Sequence, residues 1–198
     1  MTTLVDTVDA NPPAPELPVY AGIALTDVQI VYSVAESAAV LAELMAADVL
    51  GFDTESKPTF AKGEVSTGPH LIQLATDQRA YLFPVIGTMA LEVLRAVLES
   101  PQSLKVGFGL RDDLLRLQSK LGIACANVLD LAIALRQDKR GDVGAKSAVA
   151  RFFGQRLQKS KRISTTNWAN PRLTEAQMRY AANDAHVALR VYRAWQAD

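Results

Sequence analysis

The run Val49-Leu50-Gly51-Phe52-Asp53-Thr54-Glu55 constrains this chain more than any other segment. Four apolar or small residues in a row ask for burial on both faces, which makes the run a central strand of a covered sheet. Strand side chains alternate, so Asp53 and Glu55 project from the same side. Two carboxylates side by side at low dielectric repel each other, and either protonation or cations must compensate. Hard divalent ions such as Mg²⁺ and Mn²⁺ favour carboxylate oxygens. Alone, the pair also fits a strand that turns polar where it leaves the core.

The surrounding pattern supplies the rest of a sheet. Val28 to Tyr32, His70 to Ala75, Ala80 to Phe83 and Leu104 to Phe108 read as strands, and Val128 to Leu131 as a strand or the start of a helix. Helical spacing follows Ser33, through Val40, Leu41, Leu44 and Met45, and recurs over Leu91–Leu98, from Gly109 to Leu117, and over Ser147–Phe153. Thr174 to Gln177 matches a capping box and opens a long helix to Trp195. Early strands followed by strand–helix alternation indicate an α/β fold, a mixed β-sheet flanked by helices in a single domain. Residues 1–20 are acidic and Pro-rich, with Pro12, Pro13, Pro15 and Pro18, and read as a flexible arm before a domain over 21–198.

Charge is uneven although the net formal charge is zero. Residues 1–100 carry 4 Lys and Arg against 13 Asp and Glu, and residues 101–198 carry 17 against 8. Such asymmetry fits a polyanion or membrane-surface partner, and equally a salt-bridged globule. The single Cys125 builds neither an intramolecular disulfide nor a Cys-rich zinc site, and the N-terminus lacks the basic and apolar regions of a signal peptide. With no run of about 18 apolar residues to span a bilayer, the expectation is a cytoplasmic chain.

Three further features carry chemistry. Gly107-Phe108-Gly109 breaks a strand and leads into Asp112 and Asp113, either of which also fits the acids a helix N-terminus favours. On the last helix Tyr180, Asp184, Val187 and Val191 form a strip apart from the polar face of Arg179, Asn183, His186 and Arg190. Asp184 thus lies in apolar company one turn after Tyr180, whereas His186 falls on the solvated side. Finally, Arg151, Arg156, Lys159, Lys161 and Arg162 lie in twelve residues without an acid, with Trp168 beyond them. Such donors suit phosphates, and the spacing equally fits a solvated loop with Trp168 in the core.

In this order — Asp53-x-Glu55, Asp113 in Gly-x-Gly-x-x-x-Asp, Tyr180-x-x-x-Asp184 — the chain resembles the DEDDy branch of the DnaQ-like 3′-5′ exonucleases. It is most similar to Werner-type exonuclease domains and ribonuclease D catalytic domains, over roughly residues 24–195. Leu71-Ile72-Gln73-Leu74 and the segment from Lys159 to Trp168 support the resemblance. It implies a ribonuclease H-like fold and two divalent cations, Mg²⁺ or Mn²⁺, held by Asp53, Glu55, Asp113 and Asp184. Asp113 rather than Asp112 keeps the family's distance from Gly109, and Tyr180 aligns the attacking water. Thr54, Phe108, Gly109, Lys159, Lys161 and Arg162 are the implied nucleic-acid contacts, while His70 and His186 have no role. The implied activity is hydrolysis from the 3′ end of single-stranded or 3′-recessed DNA or RNA to nucleoside 5′-monophosphates, with no membrane partner. Helicase motifs and a C-terminal helical RNA-binding domain are not seen. Werner-like spacing leans toward DNA; the alternatives are a ribonuclease D-like exoribonuclease and a non-catalytic binding module on the same fold.

Overall fold

The computed structural model describes residues 16–61, 63–86, 91–137 and 141–198; most of the Pro-rich arm, residues 1–15, lies outside them. Six strands form one sheet: β1 (Val28–Ile30), β2 (Val49–Glu55), β3 (Leu71–Ala75), β4 (Ala80–Pro84), β5 (Leu104–Gly107) and β6 (Val128–Asp130). Their order is β1-β4-β3-β2-β5-β6, which sets β2 near the centre as its apolar run requires. β2, β3 and β4 are antiparallel neighbours, and β1, β5 and β6 join in parallel. The mixed α/β sheet of the sequence reading is therefore present.

Alternation along β2 divides the core. Leu50 and Phe52 pack with Ile72, Leu74, Tyr81 and Phe83 against α1 (Val34–Ala46) and α2 (Leu91–Leu98). The opposite face carries Gly51, Asp53 and Glu55 and is covered by α7 (Glu175–Ala197), with α5 (Ala145–Phe153) beside it. α7 lies close because its inner residues Ala181, Ala182, Ala185 and Ala188 are small and fully buried. Gly51 completes the fit, since a Cβ there would run into the Ala185 carbonyl oxygen.

Helix starts follow the sequence signals. Ser33 Oγ accepts from the Glu36 N–H at 3.2 Å and Glu36 accepts from the Ser33 N–H at 2.9 Å. Thr174 and Gln177 make the same reciprocal pair at 3.3 and 3.0 Å. Two departures from the sequence reading lie near the acidic residues. The helix after β5 comprises α3 (Arg111–Arg116) and continues as a π turn from Leu117 to Leu121, ending on Gly122 at φ +62°. Between α5 and α7 stands a short α6 (Lys161–Ser164), too brief for periodicity to reveal; α4 (Leu131–Ala134) follows β6 directly.

One expectation is corrected. His186 is 6% exposed, not solvated. The segment before β1 lies along this side of α7, where the Asn183 Oδ1 accepts the Ile23 N–H at 2.9 Å, and the Asp77 turn lies against His186. The same segment reaches further back: Tyr20 donates to the Arg156 carbonyl at 3.1 Å and Arg156 to the Pro18 carbonyl at 2.8 Å. Pro18 and Tyr20 are thus hydrogen-bonded to the segment after α5. Among the described residues, no helix is long and apolar enough to cross a membrane.

Candidate active site

The strand end, the turn after β5 and the middle of α7 bring the acids together. Asp53 and Glu55 end β2 and are half-buried; Asp113, in the first turn of α3, and Asp184, on α7, are 7% and 8% exposed. Asp113 is held from two sides, by Thr54 Oγ1 donating at 2.5 Å and by Arg116 Nη2 at 3.1 Å. Thr54 is therefore a support for Asp113 through its side chain. Asp112, by contrast, points to solvent as an exposed residue.

Glycines shape the turn that presents Asp113. Gly107 has no room for a Cβ, which would meet the Phe52 carbonyl oxygen. Gly109 has open space around it but adopts φ +72°, a conformation that favours glycine. Asp130 then pins the turn: its carboxylate accepts the Gly109 and Leu110 N–H groups, each at 2.9 Å, and caps α4 through Ala132. The sequence reading missed Asp130; its only signal was an acid ending the strand-like Val128-Leu129-Asp130. Phe108 packs at the edge of the cluster containing Val106 and Leu131.

Lys159 enters the acidic cluster itself. Its Nζ lies 3.0 Å from Asp184 Oδ1 and 5.7 Å from the centre of the Tyr180 ring. Lys161 and Arg162, on α6, are exposed. Tyr180 is braced by Trp168, with ring centroids 6.0 Å apart, and Trp168 is buried with its Nε1 donating to the Ser164 carbonyl at 3.0 Å.

These groups form one electrostatic unit. Burial, then Asp184 and Asp113, push the Asp53 carboxyl well above the ordinary carboxylate range. Glu55 is pushed up to about 9, by burial first and then by Asp53 and Asp184. Burial also raises Asp113 and Asp184, the latter against the opposing pull of Lys159 and a hydrogen bond from Tyr180. Burial alone would lower Lys159, but Asp184, Asp53 and Glu55 outweigh it and hold the ammonium charged. Burial and the surrounding acids raise Tyr180, so its phenol stays protonated.

Among the described residues, no three His, Cys, Asp or Glu side chains converge into a finished ligand shell. Lys159 and Arg116 hold Asp184 and Asp113 where a tighter shell would need their oxygens. The donors are nonetheless all carboxylate oxygens, the set that hard divalent cations take. Burial pushes the Cys125 thiol up to about 11, and the His70 Nδ1 accepts the Lys57 N–H at 3.0 Å.

Comparison with known proteins bears on the family and the fold. A family model described as 3′-5′ exonuclease matches residues 28–197. The bifunctional 3′-5′ exonuclease/ATP-dependent helicase WRN of Mus musculus is 29% identical over 149 residues, covering 74% of this chain. The chain spans only 11% of that protein's length. Among solved structures, the Nibbler EXO domain of Aedes aegypti superposes with a TM-score of 0.73 at 25% identity, covering 93% of this chain and 92% of that one. Escherichia coli RNase D, an exoribonuclease involved in structured RNA processing, gives 0.72 at 25% identity, covering 86% and 45%.

Proposed function

The chain belongs to the 3′-5′ exonuclease family, and from that premise we propose that residues 21–198 form a two-cation exonuclease domain acting on the 3′ end of DNA or RNA. Asp53, Glu55, Asp113 and Asp184 would hold two divalent cations, Mg²⁺ or Mn²⁺. When bound, such ions make water a better nucleophile and stabilise the charge on the leaving oxygen. The observation that supports this reading is the gathering of four acids beside one half-buried lysine: Lys159 lies 3.0 Å from Asp184, and burial, then Asp184 and Asp113, raise both Asp53 and Glu55. Carboxylates so placed are satisfied only by positive charge or protons.

The chain's own groups then have separate tasks. Tyr180 keeps its proton, so it acts as a hydrogen-bonding guide: the phenol O–H donates to Asp184 and its oxygen accepts from the attacking water. Water adds to the terminal phosphorus as the bond to the 3′-oxygen breaks. A nucleoside 5′-monophosphate leaves and the shortened strand keeps a 3′-hydroxyl. Lys161 and Arg162 on the exposed α6 contact strand phosphates, and the backbone at Thr54 and around Phe108 and Gly109 borders the terminal nucleotide. The RNase D likeness speaks for RNA and the family for 3′-5′ exonuclease chemistry, so DNA and RNA are alternative substrates of one chemistry.

The deciding experiment incubates the chain with 5′-labelled single-stranded and 3′-recessed duplex DNA and RNA, with and without Mn²⁺. A metal-dependent ladder shortening from the 3′ end is expected. Binding to any of these without degradation overturns the catalytic reading in favour of a binding module.

Lys159 supplies a second test. Its ammonium neutralises Asp184 without any bound ion, and a cation held at Asp184 would free it for the substrate phosphate. Lys159→Met is expected to destabilise the metal-free chain by about 1–3 kcal/mol, because Asp184 loses its partner. Mn²⁺ should recover most of that loss in thermal unfolding. Equal destabilisation with and without Mn²⁺ removes Asp184 from the cation site.

A further inference from the structure

Gln73 is one of the buried polar side chains that the fold leaves without partners. It stands in the middle of β3 with 0% exposure, and neither its Oε1 nor its Nε2 has a hydrogen-bond partner. A carboxamide brings two donors and an acceptor, and leaving such groups unmade in a packed interior costs about 1–3 kcal/mol each. An apolar residue of similar size would fill the same space without that cost.

Its register gives the reason to keep it. Gln73 pairs directly with Asp53 on β2 and with Leu82 on β4. Directly opposed residues of antiparallel strands share a face, with Cβ atoms about 4.5–5.5 Å apart. The carboxamide therefore stands beside Asp53 on the face that α7 covers. The sheet face there is otherwise built into an apolar cluster that includes Leu71, Ala75 and Leu82 of β3 and β4 and Ala181, Ala182 and Ala185 of α7. Asp53 Oδ1 accepts the Thr54 N–H at 2.8 Å, which leaves acceptor capacity on the carboxylate.

We propose that Gln73 is a positioning residue of the carboxylate site: its Nε2–H, unpartnered without metal, donates to the Asp53 carboxylate once cations are held there and fixes its orientation toward them. It touches neither substrate nor cation and acts through Asp53. The inference rests on the two-cation reading above. Groups that orient metal-binding side chains in this way change metal affinity about 10–100-fold when removed.

The test uses the full chain and two apolar variants, Gln73→Leu and the less demanding Gln73→Met. Mn²⁺ affinity is measured by calorimetry, and thermal unfolding is followed without metal. The expected result is a 10–100-fold weaker Mn²⁺ affinity with no fall in metal-free Tm, because the unpartnered amide is gone. Unchanged Mn²⁺ affinity in either variant overturns the proposal. So does a fall in metal-free Tm, or failure to fold, in both, which would assign Gln73 to packing alone. An original chain that binds no Mn²⁺, or binds it equally after Asp53→Ala, removes the cation site itself and both readings together.

Discussion

Asp53→Ala is expected to lower 3′-end cleavage by a factor on the order of 10⁴, while the chain folds as before. Asp53 is the acid most entangled with the others: Asp184 and Asp113 both raise its carboxyl, and it is the first charge to raise Glu55. Removing it takes away the group that joins the β2 acids to the α3 and α7 acids. The remaining carboxylates repel less, so stability without metal should hold or rise; Lys159 still neutralises Asp184. The loss of activity is therefore separable from a loss of fold. Asp53→Asn is the control for shape, since it removes charge but keeps the Thr54 N–H satisfied. Circular dichroism and a 3′-labelled strand in Mg²⁺ or Mn²⁺ measure both effects. Near-normal cleavage by either folded variant would sink the assignment of Asp53 to the cations.

The strand acids were legible because a period of two needs no knowledge of the partner: Asp53 and Glu55 share a face wherever the strand lies. The capping box at Thr174 was legible for the same reason, as its partner is three residues away, and Ser33 was legible as a helix start. Legibility ended where distant segments decide. The helical wheel separated Asp184 from His186 correctly, but it could not show that residues before β1 cover the His186 side. Nor could it show that Lys159, grouped by charge with Lys161 and Arg162, turns inward to Asp184 while those two stay exposed. Gln73 lies within Leu71-Ile72-Gln73-Leu74, yet its position across from Asp53 exists only once β2 and β3 are registered. The π turn at Leu117–Leu121 had a usable signal in Gly122, whose left-handed conformation ends it.

Tyr180→Phe should separate alignment of the water from possession of the cations. The substitution removes one oxygen and leaves the ring, which packs against Trp168 at 6.0 Å and needs no hydroxyl to do so. Asp184 loses a hydrogen bond but retains Lys159 at 3.0 Å, so its carboxylate stays in place. Mn²⁺ affinity should therefore change little, and metal-free Tm should move by about 1 kcal/mol or less in stability. Cleavage depends on the missing atom in a different way. With the phenol protonated, Tyr180 is not a base, and its contribution is to hold the attacking oxygen in line. A misplaced nucleophile costs about 10²-fold, so kcat should fall by that order while KM for the strand stays close to its original value. A drop equal to that of Asp53→Ala would mean that Tyr180 holds the cation site together rather than the water. A fall in KM-dependent rate alone, with kcat unchanged, would move it to strand binding. The intermediate loss, confined to kcat and seen with Mn²⁺ affinity intact, is the result this geometry requires.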